Sequence, residues 1–231
     1  MERLDKILSG NGFGTRKEVK QLIRYGHVKV DGETVKNPDI KTDPVNSVIT
    51  VNNKLLTYRK FIYLMMNKPQ GYVSAAEDNL YPTVTDLVPE EFKCYSVFPA
   101  GRLDVDTEGF IILTNDGKFA HNITSPKKHI PKKYFVITKR EITQNDKDMF
   151  ESGMNLGDFT AMPAKIEEYE NGCLTTIYEG KFHQIKRMFE KTGNKVEYLK
   201  RVKIGGLSLD AKLKLGEVRE LTKGEIEQIW T

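Results

Sequence analysis

The hydrophobic pattern of this chain changes period once, close to residue 60, and that change demands two units of different kind. Before it, apolar residues recur at helical spacing. Leu4, Ile7 and Leu8 stand at i, i+3 and i+4, and Val19, Leu22 and Ile23 form a second stripe. The segment "NGFGTRKEVKQLIRYGHV" places Thr15 and Glu18 as a capping box at a helix start, with Gly26 as its stop. At 100° per residue, Arg16, Lys17, Lys20 and Arg24 fall within an arc of about 100° on another face. "VKVDGETV" then alternates around an Asp31-Gly32 hairpin turn. "NNKLLTYRK" (52–60) reads as a linker.

From Phe61 onward the pattern is mostly strand. "FIYLMMNKPQGYVSA" is a strand with a Pro-Gln-Gly break, and "FIILTNDG" is a strand ending in a turn. "KKYFVITK" and "GCLTTIYEG" are further strands. "KFHQIKRMFEKTG" predicts a helix with Phe182, Ile185 and Phe189 inward and Gly193 as its stop. The expected class is α+β, a small helical unit followed by a domain built on a largely antiparallel sheet.

The longest apolar run is Phe61 to Met66, six residues, far short of the roughly 20 that span a bilayer. No apolar h-region follows Met1, so no secretory signal is read. Cys94 and Cys173 form no CxxC pair, and with four histidines no metal site is expected. Reduced thiols fit a cytoplasmic protein. Residues 1–60 carry 12 Lys and Arg against 7 Asp and Glu, whereas the remainder carries 24 against 25. Two further basic clusters stand out, Lys127–Arg140 with six cations and no acid, and Lys181–Lys203 with eight against Glu190 and Glu197. Charge distributed this way favours a polyanion, and nucleic acid is the commonest.

No phosphate loop, dinucleotide fingerprint, H-E-x-x-H or G-x-S-x-G elbow is present. An enzyme with this sequence works with side chains alone, without a cofactor. The segment "AGRLDVDTEG" (100–109) is where such chemistry is to be sought. It is too polar for a core strand, too glycine-flanked for a helix, and leads directly into the apolar run Phe110–Leu113.

The order "RLDKIL", "TRKEVKQLI", "GHVKVDG" over residues 1–58 resembles the S4 RNA-binding domain. "GRLD", preceded by "LMMNKPQGYVS" and followed by "PKKYFV" and "EGKFHQIKRMFEKTGNKVEYLKRVKIGGLSLD", resembles the pseudouridine synthases over residues 59–231. Together the blocks are similar to the RsuA/RluB/RluE/RluF branch, and within it to synthases of small-subunit rRNA. The resemblance implies an S4 (α-L) domain joined to a synthase domain with a mixed, largely antiparallel sheet flanked by helices.

The resemblance also implies roles. Asp104 becomes the catalytic nucleophile and Tyr134 the residue on which the flipped uracil stacks. Lys186 is the cation paired with Asp104, with the adjacent Arg187 nearer RNA or the surface. Arg102 and Lys132 contact RNA, as do Arg3, Arg16, Lys17, Lys20 and Arg24 of the S4 unit, on phosphates more than bases. His183 is not expected to be catalytic, and Asp106 and Glu108 are loop or capping residues. The expected partner is ribosomal RNA of the small subunit or its assembly intermediate, with no membrane and a monomeric enzyme. The expected target is uridine 516 of 16S rRNA. Two other readings stay open: a large-subunit (23S) rRNA synthase of the same family, and a non-catalytic RNA-binding assembly factor.

Overall fold

The computed structural model describes residues 1–231, which divide into two compact units, Met1–Ile62 with Val88–Val97, and Tyr63–Leu87 with Phe98–Thr231. The expected boundary between residues 58 and 59 thus lies beside the first division, while the excursion of 88–97 carries no sequence signal.

In the first unit, short helices Leu4–Ser9 and Arg16–Arg24 pack on a small sheet around Leu4, Leu8, Val19, Ile23, Val28, Ile49 and other buried side chains. Thr15 and Glu18 form both halves of the expected capping box. Val28–Val30 and Glu33–Thr34 make the hairpin, with positive φ at Asp31 (53°) and Gly32 (88°), as a two-residue loop between twisted strands requires. "NNKLLTYRK" is not a linker. Asn52 and Asn53 turn the chain with positive φ, Lys54–Leu55 pairs back onto Ile49–Val51, and Leu56 is buried. The polar content of that segment belongs to a hairpin edge.

The second unit is built on one large sheet. Its strands lie in the order Lys165–Tyr169, Gly172–Ile177, Lys132–Thr138, Val196–Ile204, Glu108–Thr114, Tyr63–Lys68 and Val218–Glu220. Every neighbouring pair is antiparallel except Val196–Ile204 with Glu108–Thr114, which runs parallel through Lys200↔Glu108 and Arg201↔Gly109. Helix Gly117–Thr124 is capped by Asp116 and packs Phe119, Ala120 and Ile123 against Met65, Phe110 and Ile112. Elsewhere, the rings of Phe150 and Phe189 meet at 4.7 Å and join helices Gln144–Ser152 and Gln184–Lys191.

Three contacts set the loop that carries Asp104. At the parallel pair the backbones approach so closely that a Cβ on Gly109 would lie 2.3 Å from the Arg201 carbonyl oxygen, and Gly109 adopts φ 101°. Only glycine fits there. Beneath the loop, the fully buried Lys68 donates from Nζ to the carbonyls of Pro69 (3.1 Å), Asp104 (3.0 Å), Val105 (3.4 Å) and Thr107 (3.0 Å). Ser74 clasps the preceding residue, its hydroxyl donating to Leu103 O at 2.8 Å and accepting from Leu103 N at 3.0 Å. The aspartate loop is therefore tied to the strand Tyr63–Lys68 and to the chain that follows it. Lys68→Met leaves these carbonyls without their donor in a dry interior and should destabilise the protein by about 3 kcal/mol. Urea denaturation measures this, and an unchanged midpoint would show that the loop stands without the lysine.

Candidate active site

Asp104 lines a pocket with Arg102, Tyr134, Phe182, His183 and Lys186. Its own backbone is fixed by the Lys68 ammonium and by a turn in which Thr107 N donates to Asp104 O at 3.1 Å. The Lys186 ammonium lies 3.3 Å from Asp104 Oδ2, so the sequence-expected pair is brought together. Its shorter bond, however, goes to Asp106 Oδ1 at 2.6 Å. Asp106 is thus more than a loop residue, because it anchors the cation that faces Asp104. Desolvation pushes the Asp106 carboxyl up, but the hydrogen bond and charge of Lys186 outweigh it and hold the group below its ordinary range. Glu108 accepts from Tyr198 Oη at 2.6 Å and belongs to the sheet rather than to the pocket.

Tyr134 is only 7% exposed and forms one wall. It comes from the middle of the strand Lys132–Thr138, paired with Thr175 on one side and Arg201 on the other. Behind it, the buried Arg201 donates from Nε to Phe110 O at 2.7 Å and from Nη1 to Tyr134 Oη at 3.4 Å, with its guanidinium carbon 5.9 Å from the ring centroid. The third nitrogen, Nη2, is buried without a partner. Arg201 therefore supports the tyrosine from inside the sheet, a role that neither its spacing nor its place in a basic cluster suggests.

Among the expected RNA contacts, Lys132 is internal, while Arg3 and Arg187 are engaged by carboxylates of this chain. Lys132 is buried and donates from Nζ to Ile123 O at 2.9 Å. Burial, and then the nearby Arg201 charge, push its ammonium down to about 8. Burial likewise pushes Lys68 down to about 8, against the opposing charges of Asp106, Asp104 and Glu108. Arg187 pairs with Asp158, donates to Leu156 O at 2.8 Å and lies over the Phe159 ring at 5.0 Å. It clamps the loop after Met154–Asn155 instead of standing free. Arg3 holds the buried Asp5 with two donors and also pairs with Asp39. In the Lys127–Arg140 cluster, Lys133 pairs with Glu167 and Arg140 with the buried Asp146. That cluster looks purely cationic in sequence because the counter-charges of Lys133 and Arg140 lie just outside it or on another strand. Arg102 remains exposed at the pocket, and Arg16, Lys17 and Arg24 remain exposed on one helix. Lys20 lies 3.8 Å from Asp5.

Sequence reasoning missed two neighbours of Asp104. His183, read as a packing residue, has Nε2 3.6 Å from Asp104 Oδ1. Phe182, read as an inward helix residue, is 71% exposed, because the helix starts only at Gln184. His183 takes a left-handed backbone (φ 49°, ψ 29°), which turns both rings toward the pocket. A non-glycine residue held there costs about 1–3 kcal/mol and persists only where its surroundings fix it.

Known proteins share this arrangement of sequence and fold. The RNA pseudouridylate synthase family model matches residues 62–191, and the S4 domain model matches residues 2–44. The chain is 48% identical over 230 residues to an uncharacterized RNA pseudouridine synthase of Bacillus subtilis, covering 97% of this chain and 96% of that one. It is 39% identical to ribosomal small subunit pseudouridine synthase A of Escherichia coli, covering 98% and 99% of the two chains. A crystal structure of a pseudouridylate synthase superposes with a TM-score of 0.69 at 39% identity, covering 99% of this chain and all of that one. Extended over nearly the whole length, the likeness places the chain in the RNA pseudouridylate synthase family, in the form that carries an N-terminal S4 domain.

Proposed function

We propose that this protein isomerises one uridine of small-subunit rRNA to pseudouridine, uridine 516 of 16S rRNA, with Asp104 as the nucleophile. One observation carries the chemistry. A carboxylate on a loop anchored by a buried lysine faces a pocket walled by Tyr134, with the Lys186 ammonium 3.3 Å away. The small-subunit target is supported by the near-full-length similarity to enzymes named for that subunit.

Isomerisation breaks the bond between uracil N1 and ribose C1′, turns the base, and joins C5 to C1′. The C5 proton leaves and N1 gains one, so the atoms balance without a co-reactant. Asp104 supplies the electron pair for this exchange, and Lys186 with Asp106 holds it in place. The target base must leave its stack to reach Asp104, and the Tyr134 ring is the flat surface that receives it. Four basic residues of the Arg16–Arg24 helix contribute phosphate contacts that position the RNA without reading sequence. The protein works as a cytoplasmic monomer.

Sequencing small-subunit rRNA from cells with and without this gene, after chemistry that halts reverse transcription at pseudouridine, tests the reading. The expected result is one stop that vanishes with the gene, and a stop lost from large-subunit rRNA instead would move the assignment to that subunit. Asp104→Asn keeps shape and should lower tritium release from C5-labelled RNA more than about a thousandfold with melting unchanged. Substantial turnover by this variant would remove Asp104 from the chemistry.

Tyr134→Ala should lose most turnover with a modest loss of affinity, since stacking is worth about 1–3 kcal/mol per base. Tyr134→Phe keeps the ring, so comparing single-turnover rates of the two separates stacking from the hydroxyl. Full activity of the alanine variant would return Tyr134 to the core.

Reversing Arg16, Lys17, Lys20 and Arg24 to Glu should weaken RNA binding and flatten its salt dependence. Each lost phosphate contact removes roughly 0.7–0.9 from the slope of log K against log salt. Filter binding between low and physiological salt measures this, and an unchanged slope would make the face ordinary solvated surface.

A further inference from the structure

The turn before the Gln184–Lys191 helix presents an aromatic surface that the chemistry at Asp104 does not use. Phe182 is 71% exposed although it lines the Asp104 pocket. Its ring lies flat on the His183 imidazole, with centroids 3.8 Å apart and planes 17° from parallel. The imidazole is held between that ring and the aspartate, its Nε2 lying 3.6 Å from Asp104 Oδ1.

The turn is rigid from behind. Buried Gln184 accepts from Lys181 N at 3.0 Å and donates to Glu179 Oε1 at 3.1 Å, and that same oxygen accepts from Met162 N at 2.9 Å. Arg187 N donates to His183 O at 3.0 Å. Water contacts most of a phenyl ring that is nevertheless fixed in orientation, which is the condition for stacking a flat ligand at low entropic cost.

We propose that Phe182, backed by His183, is a stacking subsite for an unpaired nucleobase adjacent to the target uridine. The inference rests on Asp104 being the centre of uridine isomerisation. Tyr134, almost wholly buried, serves the base inside the pocket. Phe182 stands at the exposed edge of the same pocket, where a strand that sends one base inward must pass its neighbour. Every base has a π-face, so this shelf selects an unstacked, single-stranded neighbour rather than a particular base. It therefore favours a loop or bulge over a continuous helix.

The test uses the full-length protein and a small-subunit rRNA transcript carrying the target. Because Phe182 is exposed, its substitution should leave thermal melting unchanged. Phe182→Ala should weaken RNA binding roughly 5- to 100-fold. Phe182→Trp should bind like wild type, whereas Phe182→Leu, apolar but not flat, should behave like the alanine variant. Transcripts with a single abasic site 5′ or 3′ of the target complete the cycle. At one of the two positions, wild type and Phe182→Ala should bind the abasic RNA equally. Wild-type affinity in the alanine or leucine variant, or a persistent difference on both abasic transcripts, would overturn the subsite. Failure of the wild type to isomerise the transcript would instead overturn the reaction on which it rests, so the two failures are distinct.

Discussion

A lysine ammonium buried beneath a loop is the contact on which the rest of the site depends. Lys68 ends a core strand, and its four carbonyl acceptors belong to the residue after it and to three residues of the aspartate loop. Carbonyl dipoles converging on a cation replace the water it loses on burial, and the same bonds fix the loop's backbone. The aspartate then needs no extensive packing of its own. Its carboxylate reaches an open pocket from an anchored main chain, which is the form of preorganisation a nucleophile on a loop requires.

The sheet imposes the second constraint. One parallel pair within an otherwise antiparallel order brings the Glu108–Thr114 strand so close to Val196–Ile204 that Gly109 has no room for a Cβ. The same crossing places Arg201 across from both Gly109 and Tyr134, so a single buried guanidinium touches the strand after the aspartate and the tyrosine wall. The distance between Asp104 and Tyr134 is therefore set by strand register and not by the loop alone. Register in a sheet with buried faces is strongly specified, because a one-residue slip reverses every side chain.

Elements with local causes were legible in the sequence. The Thr15–Glu18 capping box, the Asp31-Gly32 hairpin and the strands around Phe61, Phe110 and Tyr134 are dictated by neighbours a few residues away. Asp104 and Lys186 were legible as a pair only through resemblance, since 82 positions separate them and no periodicity joins them. What escaped is which partner each cation takes. Arg3, Lys132, Arg140 and Arg187 read as free surface charge, because no periodicity assigns them Asp5, the Ile123 carbonyl, Asp146 and, 29 positions away, Asp158. Phe182 fitted a helical stripe by spacing, yet the left-handed backbone at His183 starts the helix two residues later and turns the ring outward.

Three buried cations alter how the charge of this protein acts. Lys68, Lys132 and Arg201 are buried, and none has a carboxylate hydrogen-bonded to it; each bonds to main-chain oxygen. Carbonyl dipoles lessen their local cost but leave their net charge in place, and a charge under a partly dry pocket is screened far less than one in solvent. The charge is close enough for Arg201 to oppose the ionised form of Lys132, and for Lys68 to feel the carboxylates of the aspartate loop. In the proposed reaction, a uracil leaving C1′ carries negative charge while it turns. Under that proposal, positive charge buried behind the Asp104 loop at Lys68 and behind the Tyr134 wall at Arg201 favours the departing base without a donor on the base itself. The Lys127–Arg140 and Lys181–Lys203 clusters thus contribute partly from inside the sheet. Under the proposed function, the exposed Arg16, Lys17 and Arg24 of the S4 unit, with Arg102, Lys127, Lys128 and Lys181 of the synthase unit, are the cations placed to meet phosphates in solvent.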